Sequence, residues 1–271
     1  MKVLIFRSRE RAVVRAAGEI VQQLQARPAS VLGLATGGTM DPVYAALIAA
    51  ARDGQVAFDR ATMFNLDEYV GVPPDHPRSY EHYMRTHFFD ALNLPDRTWR
   101  LPRGDAPDPA AEAEAYEARI AEAGGIDLQL LGIGANGHIG FNEPSSSLSS
   151  RTRVKTLHRR TRDDNARFFG PDEVVPTTAI TMGIATILDS RHALLLATGA
   201  AKAQAVAAMI EGPVSARCPA SALQLHRHAT VVLDEDAAQA LELRDYYDTV
   251  HPDGEDGQMP AMRIPGLEPQ A

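Results

Sequence analysis

The segment Gly132-Ile-Gly-Ala-Asn-Gly-His-Ile-Gly-Phe-Asn-Glu-Pro144 gathers Asn136, His138 and Glu143 on a glycine-rich turn that comes after the apolar run Ile126 to Ile133. An imidazole with a carboxylate nearby in the chain can be held in one tautomer and kept basic, which is what a proton shuttle near neutral pH requires. A histidine satisfied inside a turn is the plain alternative. Gly134, Gly137 and Gly140 favour the functional reading, because they mark tight turns that bring backbone close to something else. A second acidic candidate lies in Phe64-Asn-Leu-Asp-Glu-Tyr-Val-Gly71, where Asp67 and Glu68 close another apolar run. One of the two is expected to face a pocket, where partial desolvation would make it a base for a proton on carbon next to a carbonyl. The plain alternatives are a helix cap for Asp67 and a surface acid for Glu68. In Ala35-Thr-Gly-Gly-Thr39 the amides of Gly37 and Gly38 and the hydroxyls of Thr36 and Thr39 precede a helix, which suits an anion such as a phosphate. A simple strand-to-helix turn explains the same residues, and the lysine of a nucleotide P-loop is missing. Arg167 and Lys202 are the cations available to close over that anion.

The elements that must position these loops are legible as a rhythm. Apolar runs at Lys2 to Phe6, Ser30 to Ala35, Ala61 to Leu66, Ile126 to Gly132, His192 to Thr198 and Ala229 to Leu233 read as strands of a parallel sheet. Between them, Glu10 to Gln25, Asp41 to Arg52, Ser79 to Ala91, Pro109 to Ala123, Ala201 to Glu211 and Glu235 to Tyr246 have helical spacing. Alternation of this kind predicts an α/β fold: a doubly wound, mostly parallel sheet flanked by helices, Rossmann-like, in a single domain over residues 1 to 250. The stretch from His251 to Ala271, rich in Pro, Gly and acids, reads as a poorly ordered tail or an extension draped over the surface. In such sheets ligands gather beyond the carboxyl ends of the strands, where all the candidate loops fall.

Composition narrows the function. The chain has 271 residues, 45% of them hydrophobic and 23% charged, as in an ordinary globular enzyme. Its net charge of -8 argues against nucleic acid as the main partner. A single cysteine, Cys218, fits a reducing, cytoplasmic setting, and no uninterrupted apolar run of about 18 residues suggests a membrane span. No metal is expected: His82 and His87, like His226 and His228, lack the spacing of a metal-binding helix. The turn Gly132-x-Gly134-x-x-Gly137 formally matches a dinucleotide fingerprint, but His138 to Pro144 do not read as the helix such a site needs, so no redox cofactor is expected.

Taken in order, Leu34 to Thr39, Phe64 to Gly71, Gly134 to Pro144, Ser149-Ser-Arg-Thr-Arg-Val-Lys155 and Arg167-Phe-Phe169 resemble the glucosamine-6-phosphate deaminases over about residues 1 to 250. The related 6-phosphogluconolactonases share the phosphate turn but lack the two motifs around Asp67 and His138. The resemblance implies conversion of glucosamine 6-phosphate and water to fructose 6-phosphate and ammonia, in amino-sugar catabolism, without a cofactor. It further implies that His138, supported by Glu143, opens the sugar ring, that Asp67 is the enolising base, and that Thr36 to Thr39, Arg167 and Lys202 hold the phosphate. Ser146, Ser147, Arg153 and Lys155 match positions where hexameric members bind the activator N-acetylglucosamine 6-phosphate, with Tyr246 or Tyr247 a further contributor, and the resemblance implies that this chain too is a homo-oligomer, a hexamer. A solvated basic loop is the alternative there. Many members carry Asp where this chain has Asn136, and an amide neither takes a proton nor supplies negative charge, so Glu143 becomes the only nearby carboxylate partner of His138. Competing readings are a lactonase-like hydrolase, a simple sugar-phosphate isomerase and a non-catalytic sugar-phosphate sensor.

Overall fold

The computed structural model describes residues 1–166, 169–170 and 173–257. Its centre is a seven-stranded sheet in the order β1-β10-β9-β6-β2-β3-β5. The strands are β1 (Lys2–Phe6), β2 (Val31–Leu34), β3 (Thr62–Asn65), β5 (Trp99–Arg100), β6 (Leu128–Leu131), β9 (His192–Ala197) and β10 (Ala229–Asp234), and every pairing is parallel. Each residue of β2, β6, β9 and β10 is buried, so both faces of the sheet are covered, as the continuous apolar runs require.

Local chemistry explains where the crossover helices begin. The Ser8 side chain accepts from the Arg11 amide at the start of α1 (Arg9–Ala26). Asp108 accepts from the amides of Ala110 and Ala111 ahead of α4 (Pro109–Glu122), with Pro109 in the first turn where its missing N–H costs nothing. The helix α2 (Asp41–Arg52) likewise carries a proline in its first turn.

The expected doubly wound α/β architecture is present, with one expected helix altered and one split. Over Ser79 to Ala91 the chain forms α3 (Tyr80–Met84), then a π-helical turn, Arg85–Phe89, and a 3-10 turn, Asp90–Leu92. The expected helix from Glu235 to Tyr246 is two, α8 (Glu235–Ala238) and α9 (Arg244–Val250). Helix α7 (Ala203–Ile210) begins later than expected, after a 3-10 turn at Ala200–Lys202.

A second sheet was not anticipated. The antiparallel strands β4 (Asp67–Tyr69), β8 (Thr178–Thr181) and β7 (Arg153–Thr156) lie in the order β4-β8-β7. In register, Asp67 and Arg153 each face Thr181. After β7 comes α5 (Arg159–Asn165), and after β8 comes α6 (Ile184–Leu188).

The start of the expected tail is folded. Pro252–Gly254 form a 3-10 turn, and Gly254 lies so close to Phe6 that a Cβ there would stand 2.8 Å from the ring. The Asp256 carboxylate, 3% exposed, accepts from Arg15, 5% exposed, at 2.8 and 3.0 Å and from Lys2 at 2.6 Å. Outside these lie the pairs Arg7–Asp253 and Arg11–Glu255. The boundary expected at residue 250 therefore falls inside folded chain, because acids that read as a disordered composition meet basic partners contributed by β1 and α1. Residues 258–271 lie outside the described residues.

Candidate active site

The candidate loops meet at the carboxyl edge of the parallel sheet. Thr36 to Thr39 come after β2, Asp67 after β3, the Gly134 to Glu143 loop after β6, and Lys202 after β9. Gly37 has φ 111°, and the Gly37 carbonyl accepts from the Met40 amide at 2.7 Å, so the turn bends sharply into α2. The Tyr83 hydroxyl donates to the Gly37 carbonyl at 3.3 Å and makes a short bond to Asp41 in the first turn of that helix. Gly199, with φ 85°, donates its amide to Asp234 at 2.9 and 3.0 Å, which fixes the turn ahead of Lys202.

Asp67 is 5% exposed. Burial pushes its carboxyl up to about 7, opposed by hydrogen bonds from the Thr181 hydroxyl and the Phe141 amide. Thr181 Oγ1 lies 3.4 Å from Asp67 Oδ2 and accepts from the Phe141 amide at 3.1 Å. Glu68 is neither a surface acid nor directed to the site. It is 2% exposed, and its carboxylate accepts from the amides of Tyr69, Tyr80 and Glu81 at 2.8, 3.0 and 3.0 Å, so it secures the start of α3. Asp67 caps no helix, and Glu68 accepts from the first amides of α3 alongside Ser79, the N-cap residue of that helix.

His138 and its partners form a short chain of hydrogen bonds. Asn136 Oδ1 lies 2.6 Å from His138 Nδ1 and accepts from the His138 amide at 3.2 Å. Asn136 Nδ2 donates to Glu143 Oε2 at 3.0 Å, and the other oxygen, Oε1, accepts from the His158 amide at 3.1 Å. The imidazole and the carboxylate themselves stand 3.8 Å apart, beyond hydrogen-bond range. Burial lowers the His138 pKa, Glu143 raises it in opposition, and Lys202 adds to the lowering, so the ring favours its neutral form.

The glycines let these groups close on one another. A Cβ on Gly134 would meet the imidazole at 2.2 Å, and one on Gly140, φ 53°, would stand 3.1 Å from Asp67 Oδ2. The backbone that Gly134 and Gly140 bring close therefore approaches His138 and Asp67 themselves.

The residues expected at a second site divide. Arg153 and Lys155 belong to β7 rather than to a solvated loop, and Arg153 Nη1 donates to Asn142 Oδ1 at 2.9 Å, behind the His138 loop. Asn142 in turn donates to the carbonyls of Ile139 and Met182. Ser146 is 2% exposed, whereas Ser147 is on the surface and bonded to Ser149. Tyr246 and Tyr247 lie in α9. Arg167 lies outside the described residues.

Sequence reasoning missed Thr181 and Asp234. Thr181 meets Asp67 only through strand pairing between distant segments, and no linear signal marks it. Asp234 closes the last strand next to the helical pattern of α8, where an N-cap could have been read: its side chain accepts from the Ala237 amide.

A parallel α/β sheet with a buried carboxylate and a histidine network at its carboxyl edge defines an enzyme of proton-transfer type. The chain matches the family described as glucosamine-6-phosphate isomerases/6-phosphogluconolactonase over residues 8–232, and it belongs to that family. It is 54% identical over 247 residues to a glucosamine-6-phosphate deaminase of Shewanella loihica, covering 91% of this chain and 92% of that protein. A solved monomeric glucosamine-6-phosphate deaminase superposes with a TM-score of 0.86 at 44% identity, over 89% of this chain and 100% of that one. Because that relative is described as monomeric, it lends no support to the expected hexamer. A 6-phosphogluconolactonase from Trypanosoma brucei, 21% identical with a TM-score of 0.69, covers 89% of this chain and 98% of its own and shares the fold. No helix among the described residues is long and apolar enough to cross a membrane.

Proposed function

We propose that this chain is a glucosamine-6-phosphate deaminase, converting D-glucosamine 6-phosphate and water to D-fructose 6-phosphate and ammonia. The observation that carries the reading is the seating of Gly140 against Asp67, which brings the buried carboxylate and the loop bearing His138 into one site. In this reading His138 moves a proton from the anomeric hydroxyl to the ring oxygen and opens the pyranose. Asp67 then takes the proton from C2 of the open-chain sugar and delivers one to C1. The resulting C2 iminium accepts water, and ammonia leaves. A carboxylate raised to about 7 by burial is a stronger base than an exposed one, which suits abstraction from carbon.

The phosphate is assigned to the Thr36, Gly37, Gly38 and Thr39 turn at the start of α2, with Lys202 and Arg167 as counter-charges. Binding the remote anion converts its affinity into orientation of C1 and C2. A cytoplasmic setting and amino-sugar catabolism belong to the same reading. So does a second site for N-acetylglucosamine 6-phosphate at Ser146, Ser147, Arg153 and Lys155.

The test is ammonia and fructose 6-phosphate formation from glucosamine 6-phosphate by the wild type and Asp67→Asn, with and without N-acetylglucosamine 6-phosphate. Equal yields of both products, lost in the variant, support the assignment, and a lowered half-saturation with the activator supports the second site. No ammonia from the wild type overturns the deaminase reading.

A further inference from the structure

Outside the residues that would touch substrate, the segment from Ser215 to Ser221 holds the His138 loop at two points. The Ala220 amide donates to the Gly137 carbonyl at 2.9 Å, and the Ser145 amide donates to the Ala216 carbonyl at 2.8 Å. These two bonds bracket His138 and Glu143. Between them sits Cys218, 8% exposed, with its sulfur where a Gly137 side chain would begin: a Cβ there would lie 2.6 Å from Sγ and 3.3 Å from the Cys218 Cα. Gly137, with φ 84°, is the residue immediately before His138.

The bracing segment is itself stiff. Ser221 Oγ accepts from the Ser215 amide at 2.8 Å and donates to the Ser215 carbonyl at 3.2 Å, while the Cys218 amide donates to the Ser215 carbonyl at 3.0 Å. Just beyond it the chain is fastened to the helix after Lys202, since Gln224 Nε2 donates to the carbonyls of Met209 and Gly212, both at 2.8 Å. The chain from Ser215 to Gln224 therefore links the turn before His138 to the last turn of α7 (Ala203–Ile210). Burial raises the thiol pKa, so Cys218 contributes volume here rather than charge.

We propose that Cys218 is a positioning residue for His138: its sulfur, packed against Gly137, sets the height of the imidazole over the substrate cleft. The inference rests on the deaminase reading for its kinetic consequence, but the geometry it asserts belongs to the substrate-free protein. Packing this tight transmits a change of side-chain volume into a displacement of backbone. A misplacement of about 1 Å in a reacting group costs on the order of 10²-fold in rate.

The experiment compares the wild type with Cys218→Ser, Cys218→Ala and Cys218→Leu. Imidazole nitrogen signals are read by NMR in the substrate-free proteins, with His138 assigned through His138→Gln, and kcat and KM are measured for ammonia release. Cys218→Leu is expected to shift the His138 signals and to lower kcat by on the order of 10²-fold with KM within about twofold of wild type. Cys218→Ser, which nearly keeps the volume, restores both readouts. If the leucine variant does not fold, Cys218→Ala decides, with a shifted imidazole and a lowered kcat at constant KM expected. Unshifted signals and a wild-type kcat in a folded leucine or alanine variant overturn the proposal. If the wild type releases no ammonia, the deaminase reading fails, and the NMR comparison still decides the positioning.

Discussion

Asn136 fixes which nitrogen of His138 carries the proton. The Glu143 carboxylate can only accept, so the Asn136 NH₂ must face it, as it does at 3.0 Å. The Asn136 carbonyl is thereby turned to His138 Nδ1 at 2.6 Å, and because a carbonyl also only accepts, Nδ1 must carry the hydrogen. In the neutral ring Nε2 is left as the base. Glu143 thus orients His138 through a neutral amide, while its charge acts on the ring from 3.8 Å, beyond hydrogen-bond range.

Replacing that amide by a carboxylate adds a negative charge beside the ring and removes the donor to Glu143, so two acids then face each other across the 3.0 Å contact. Asn136→Asp is expected to stabilise the imidazolium and raise the His138 pKa, the usual effect of an adjacent opposite charge. The neutral ring would then be lost at higher pH, so the acidic limb of the rate profile belonging to His138 should move upward. A pH–rate profile of the variant measures this, and a limb that stays in place rules the coupling out.

Asp67 predicts a second feature of the same profile. With its carboxyl raised to about 7, the base is ionised only as pH climbs through that value, so activity should rise there. Thr181→Val removes a hydrogen bond that favours the charged form and should push this limb higher, while Asp67→Asn should abolish turnover.

The same shift has a sign for stability. A carboxyl whose folded pKa lies above its unfolded value of about 3.9 stabilises the fold below that value and loses the contribution as pH rises to about 7. Denaturant midpoints across this window should decline more for wild type than for Asp67→Asn. Parallel curves for the two proteins would contradict the burial-driven shift.

Glu68 should affect stability first. Glu68→Ala leaves the Tyr69, Tyr80 and Glu81 amides without their acceptor in a buried setting, a loss on the order of 3 kcal/mol. Chemical denaturation is the measurement, and a change below about 0.5 kcal/mol would mean that water replaces the carboxylate freely.

At the opposite end of the chain, Asp256→Ala would strand the buried Arg15 guanidinium with Glu19 as its remaining carboxylate, at 2.6 Å. Leaving a buried charge wholly unpaired costs about 3–5 kcal/mol, and with Glu19 still in place the loss here is expected to fall below that range. Thermal denaturation should show the loss, and turnover at a temperature where the variant is folded should match wild type.

How much of this was legible depended on the range of the forces involved. The strands of the parallel sheet announce themselves because burial on both faces demands continuous apolar runs, and Leu128 to Leu131 or Ala229 to Asp234 cannot easily be read otherwise. β7 has the sequence Arg-Val-Lys-Thr and exposes alternate residues, so nothing local separates it from a loop. Its existence depends on pairing with β8, and β8 on pairing with β4. The motifs around Asp67 and His138 could be found because glycines and acids cluster in sequence. The division of labour between Asp67 and Glu68 could not, since it depends on which carboxylate meets the amides of α3. Between a disordered tail and an extension laid on the surface, the stretch to Gly257 could not be decided for a similar reason: Asp256 is held by Arg15 and Lys2, from the other end of the chain.

The pairing of β1 with β10 has a consequence in time. Lys2 to Phe6 find their sheet neighbours at Thr230 to Asp234, so β1 must wait for a strand made more than 200 residues later. Contacts of such sequence separation are slow to close. During synthesis the amino-terminal strand leaves the ribosome without a partner, and β1 and α1 acquire their final environment only when the carboxyl-terminal segment arrives. Completion of the sheet is therefore expected to await synthesis of β10, and the interval before it is when β1 most needs protection from aggregation.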